Sequence, residues 1–128
     1  MIPMCAPKLY ICITCRQWEG DKVRDAEAGQ KLHKAIQNSE NTLKDVFEII
    51  PTECLSLCKK ACAVAFASEG KYSYLLSNLN ELSIDDIWAF AKIYQEKEGG
   101  IVRKVDRPEG LRDKIQGRLP PLIKKPCT

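Results

Sequence analysis

A chain of 128 residues with an apolar content of 45% has the size and make-up of one domain built on a single core. Its formal charge of +3, from 20 basic and 17 acidic side chains, is too small and too evenly spread for a nucleic-acid groove, and the basic stretch from Arg103 onward reads as solvated surface. The first residues lack a basic region followed by a long apolar run, and no stretch approaches the length of a membrane span, so a cytoplasmic location is expected, with neither membrane nor nucleic acid as a partner. In that reducing compartment seven cysteines, an odd count, point to metal binding or redox work rather than to disulfide staples.

In chain order, Lys8-Leu9-Tyr10-Ile11-Cys12-Ile13 is short, apolar and rich in strand formers, which predicts a buried first strand ending at the pair Cys12 and Cys15. Arg16 to Asp25 is polar and holds Gly20; beyond it Ala28, Leu32, Ala35 and Ile36 recur at helical spacing until Asn38-Ser39-Glu40-Asn41 interrupts. Val46 to Ile50 predicts a second strand that runs into Pro51 and the cluster Cys54, Cys58 and Cys62. Ala63–Ala67 and Tyr72–Leu76 flank Ser68-Glu69-Gly70-Lys71, the signature of a hairpin. Ser83 with Asp86 three residues on predicts a capped helix start, and Ile84, Ile87, Trp88, Ala91 and Tyr94 form one apolar face ending at Gly99-Gly100. Trp88 and the tyrosines are expected in the core. His33, the only histidine, is expected mid-helix and facing solvent rather than as a ligand.

The order strand, helix, strand, strand, strand, helix is the minimal thioredoxin-like arrangement, an α/β fold with a four-stranded mixed sheet. Residues 1–105 are expected to form this metal-binding domain, and residues 106–128, rich in Pro, Arg and Lys, an extension packed on it or trailing from it. A strand, helix, strand unit gives two parallel strands, and the thioredoxin-like layout implies a third strand antiparallel to the first. Cys12 and Cys15 then follow strand one, Cys54 and Cys58 follow strand two, and Cys62 opens strand three, so all five are expected at one sheet edge. Two cysteines two residues apart make a chelating bite, and a second group some forty residues later completes a four-thiolate cage.

Cys54-Leu-Ser-Leu-Cys58, followed by an apolar strand, the Glu69-Gly70-Lys71 turn and an aromatic strand, resembles the second half of the thioredoxin-like [2Fe-2S] ferredoxins. The fuller pattern adds Ile11-Cys12-Ile13-Thr14-Cys15-Arg16, Lys59-Lys60-Ala61-Cys62, Gly70-Lys71-Tyr72-Ser73-Tyr74 and Arg118-Leu119-Pro120-Pro121-Leu122. It is similar to the DUF1636 family of predicted metal-binding proteins. The resemblance implies Cys12, Cys15, Cys54 and Cys58 as ligands of a [2Fe-2S] cluster in electron transfer or redox sensing. Two departures leave the fourth ligand open between Cys15 and Cys62: the ferredoxins space their first two ligands more widely, and they carry Gly-Pro where this chain has Ala61-Cys62. Zinc is the second choice of metal, in a binding protein or metallochaperone, because zinc sites more often have C-x-x-C knuckles on both sides.

A thiol-disulfide oxidoreductase using Cys12 and Cys15 ranks third. No helix begins at Cys12, and Cys62 opens strand three where thioredoxins place a proline. No substrate pocket, nucleotide fingerprint or acid/base pair is legible, so the chain reads as a carrier rather than an enzyme. Lys59 and Lys60 read equally as solvated loop lysines or as charges that offset thiolate or meet an acidic redox partner. The expected partner is a redox or metal-delivery protein, with a homodimer also allowed.

Overall fold

In the computed structural model of the chain, the structure describes residues 6–55 and 61–121. Cys5, Cys58, Lys59, Lys60 and Cys127 lie outside the described residues. Along the chain run β1 (Lys8–Cys12), β2 (Gln17–Glu19), β3 (Lys22–Asp25), α1 (Ala28–Asn38), β4 (Glu48–Thr52), β5 (Val64–Ala67), β6 (Ser73–Leu76), α2 (Ile84–Glu96) and β7 (Ile115–Leu119).

β1 is an interior strand of the sheet and its side chains alternate: Leu9 and Ile11 are fully buried, Lys8 and Tyr10 only partly. It runs parallel to β4, with Cys12 opposite Thr52, and antiparallel to β5, with Ile11 opposite Val64. β5 pairs with β6 and β6 with β7, both antiparallel. The inward positions Leu9, Ile11, Val64, Phe66, Tyr74 and Leu76 form one apolar face, and both helices lay their stripes on it, Leu32 and Ile36 from α1 and Ile87, Phe90, Ala91 and Tyr94 from α2. Aromatic rings lock the middle: Phe66 lies 5.0 Å from Phe90 and 5.7 Å from Tyr94 between centroids. The buried phenols are used as well, since Tyr94 donates to the Tyr72 carbonyl at 2.6 Å and Tyr74 accepts the Val102 N–H at 2.8 Å. Trp88 is 3% exposed and donates its indole N–H to Ser39, in agreement with the core role expected of it.

Several expectations need correction. Among the described residues the sheet has five strands, in the order β4-β1-β5-β6-β7, not four. Leu111, the last residue of a 3-10 turn, is fully buried, the Lys114 carbonyl takes the Ser77 N–H, and Ile115 is thereby brought alongside Leu76; Arg118 then stacks over Tyr72. A single buried leucine and a strand interrupted by Gly117 gave too faint a pattern to read as a strand. The polar stretch after Cys15 is a two-stranded ribbon of β2 and β3, turning at Gly20 with φ +62°. The second long strand begins at Glu48, not Val46, because a 3-10 turn at Thr42–Asp45 delivers Phe47 into the core beside Phe66. The cap before α2 is Asn80, whose side chain accepts the Leu82 N–H while Ser83 Oγ accepts the Asn80 N–H; the expected Ser83 cap is absent. His33 is half-buried rather than solvent-facing, and its Nε2 is shielded with no hydrogen-bond partner among the described residues.

Candidate metal centre

The carboxyl ends of β1 and β4 and the amino end of β5 share one edge of the sheet, because β1 is parallel to β4 and antiparallel to β5. Cys12 ends β1, and Cys15 follows after one turn; both are buried, at 2% and 3% exposure. Their loop is tied to the sheet on two sides. The Cys12 N–H donates to the Ala63 carbonyl at 3.0 Å and the Ile13 N–H to the Thr52 carbonyl at 2.8 Å. On the β4 side the Thr14 hydroxyl donates to the Glu53 carbonyl, and Cys12 Sγ lies 3.6 Å from that hydroxyl and 3.8 Å from the same carbonyl. A third tie comes from α1, whose Gly29 N–H donates to the Cys15 carbonyl at 3.0 Å. The ribbon of β2 and β3 therefore takes up the length between Cys15 and α1 while the helix start still reaches the cysteine loop.

The two thiols meet. Burial would raise the Cys12 thiol, but hydrogen bonds from Cys15 and from the backbone N–H groups of Leu55 and Thr14, with the Thr14 side chain alongside, outweigh it and hold Cys12 below the ordinary thiol value. Burial pushes Cys15 far up, and its hydrogen bond to Cys12 pushes the same way; the Ala63 N–H opposes, and the nearby charges of Cys12 and Cys62 add to the rise. The two sulfurs are thus unequal, Cys12 shifted down and Cys15 shifted up.

Cys62 is 1% exposed and lies directly before β5, exchanging backbone hydrogen bonds of 3.1 Å with Leu79 in both directions. The peptide bond between Ala61 and Cys62 is cis. Behind Cys62 opens a groove of about 350 Å³, flanked by Ala28 and Lys31 of α1 and by Asn80 and Leu82. Cys54 sits on the exposed loop after β4, one residue beyond the Glu53 carbonyl that Cys12 and Thr14 approach. Among the described residues, no three His, Cys, Asp or Glu side chains come together as a ligand set, and Cys58, the remaining expected ligand, lies outside those residues. Of the expected ligands, Cys12 and Cys15 lie together at this edge, Cys62 stands near enough to Cys15 for its charge to act on it, and Cys54 follows the Glu53 carbonyl that Cys12 approaches. The donor chemistry fits a soft metal or an iron-sulfur centre: thiolates, with backbone N–H groups of Leu55 and Ala63 directed at sulfur.

Four contributors escaped the sequence reading: Thr14, the N–H donors of Leu55 and Ala63, and Gly29. Only Gly29 left a signal, a glycine in the first turn of an amphipathic helix.

The family model described as "Protein of unknown function (DUF1636)" matches residues 9–121. No curated protein matches the sequence. A thioredoxin-like [2Fe-2S] ferredoxin from Aquifex aeolicus superposes with a TM-score of 0.55 over 93% of this chain and 98% of its own, at 15% identity. The crystal structure of the wild-type thioredoxin-like [2Fe-2S] ferredoxin from the same organism gives 0.51 over 88% and 97%, at 12% identity. The sheet order around β1 and the pair of helices are thus those of the thioredoxin-like ferredoxin fold.

Proposed function

We propose that this chain, which belongs to the DUF1636 family, is a cysteine-ligated metal-binding protein whose centre is a [2Fe-2S] cluster used in electron transfer or redox sensing. One observation carries the reading: the fold brings the thiols of Cys12 and Cys15 into contact at the sheet edge, next to the loop that bears Cys54. Cys12, Cys15, Cys54 and Cys58 are the proposed ligands, with Cys62 as the alternative to Cys15. The cluster would supply a one-electron redox couple. The chain's part is to bury the inner sulfurs, direct the Leu55 and Ala63 N–H groups at them, and leave the Cys54 side open to a redox or metal-delivery partner. The fold of the Aquifex ferredoxins supports this reading without extending their cluster to this chain.

Anaerobic purification or reconstitution, followed by visible absorption and iron, sulfide and zinc analysis, tests the proposal. A coloured protein with about two iron and two sulfide per chain is expected. Serine at Cys12, Cys54 or Cys58 should abolish or strongly alter the centre, and serine at Cys5 or Cys127 should leave it intact. An intact Cys15→Ser beside a damaged Cys62→Ser moves the fourth ligand. Colourless protein with stoichiometric zinc selects the zinc-protein alternative; no metal at all sinks both.

A second reading, thiol-disulfide exchange at Cys12 and Cys15, is favoured by the unequal pair, a depressed Cys12 beside a raised Cys15. Disulfide reduction by the metal-free protein, lost in Cys12→Ser, would put that chemistry first.

A further inference from the structure

We infer that Gly29 is a positioning residue that sets the bite of the Cys12–Cys15 pair; this rests on the reading of that loop as a thiolate metal site. Gly29 lies inside the first turn of α1, and its backbone is not in the left-handed region, so no turn requires a glycine there. Glycine is a poor helix former, and alanine would favour the helix. Space is what demands it. A Cβ at this position would overlap the Cys12 carbonyl oxygen and fall 3.0 Å from both the Cys15 nitrogen and the Ile13 carbonyl carbon.

All three are backbone atoms, which cannot swing aside as the tip of a side chain can. The loop is also pinned on its far sides, through Cys12 N–H to Ala63 and Ile13 N–H to Thr52. A methyl group at position 29 must therefore either push α1 off the loop, losing the Gly29 N–H to Cys15 carbonyl bond, or displace Cys15 relative to Cys12. Either way the two sulfurs lose the separation that the fold gives them. Residues that orient metal ligands without touching the metal commonly change affinity by about 10- to 100-fold when altered.

The test is zinc titration of the reduced, metal-free protein against a chromophoric chelator, for wild type, Gly29→Ala and Gly99→Ala. Gly99 has no atom near a built Cβ and serves as the neutral glycine. Expected is a loss of zinc affinity of about 10- to 100-fold in Gly29→Ala and none in Gly99→Ala. The thermal midpoint of the metal-free Gly29→Ala protein should fall as well, because the gain in helix propensity only partly offsets the crowding, and affinity is therefore compared at a temperature where both proteins are folded. Zinc binding by Gly29→Ala as tight as wild type overturns the inference. Should that variant fail to fold, hydrogen exchange of the wild type decides: zinc should slow the Gly29 amide relative to the Gly100 amide, which bonds to Lys97 away from the cysteines. An unchanged ratio overturns the inference too. A wild type that takes up neither zinc nor iron refutes instead the functional reading beneath it.

Discussion

Cys12 and Cys15 are three positions apart in sequence and chemically unlike in the fold, since the same burial acts on both and only Cys12 collects enough hydrogen-bond donors to overcome it. His33 is a similar case of a residue whose character is set by what packs on it. Its imidazole is depressed by burial, and its shielded Nε2 has no partner among the described residues to favour the cation. Unfolded, the group titrates near 6.5, so below about that pH the unfolded chain takes up the proton first. Stability should accordingly decline as pH falls from about 6.5 towards the lower folded value, and the penalty should level off beneath it. Denaturant midpoints measured across that interval, for wild type and His33→Gln, check this. A slope that survives unchanged in His33→Gln would assign it to other groups.

At the scale of elements, the strands and helices that carry the core were legible because their apolar periods are strong: two in β1 and β6, near 3.6 in α1 and α2. Their boundaries were not, because caps and turns depend on single side chains with more than one acceptable arrangement. Before α2 both Asn80 and Ser83 are competent caps, and the chain uses Asn80 to start a 3-10 turn at Glu81–Ser83 that runs into the helix. Asn80→Ala should therefore destabilise the protein by about 1 kcal/mol. Ser83→Ala, which loses only the returning half of the box, should cost less. Equilibrium denaturation of the two variants settles the order, and a larger loss from Ser83→Ala would restore Ser83 as the cap. The ribbon of β2 and β3 went unread for another reason: three of the four β3 residues are exposed, so no apolar alternation marks the strand.

For the whole molecule, the sheet edge that carries the cysteines and the aromatic layer that holds the sheet to α2 are separate regions of one fold. Phe66 stands at the centre of that layer, fully buried and in ring contact with Phe47, Phe90 and Tyr94. Phe66→Ala should cost about 3–5 kcal/mol by transfer and cavity terms together. Phe66→Leu, which keeps most of the volume, should cost far less. If the site depends on the fold only through the edge, Phe66→Leu should take up metal as the wild type does while its melting temperature drops. Loss of uptake in a folded Phe66→Leu would tie the site to the aromatic layer. Among the described residues, no helix is long and apolar enough to cross a membrane.

By itself the sequence determined the order of the main elements, the parallel and antiparallel pairing around β1, and the placing of the cysteine clusters after β1, after β4 and before β5. The elements follow from local periodicity and the parallel pair from the strand, helix, strand crossover, while the antiparallel placing of the third strand beside the first follows from the resemblance of that order to the thioredoxin-like arrangement. Tertiary structure alone decided the fifth strand, the unequal shifts of Cys12 and Cys15, and the wedge of Gly29 against the cysteine loop. These depend on which backbone N–H or carbonyl from a remote element arrives within hydrogen-bond reach. No pattern in the neighbouring residues encodes that distance.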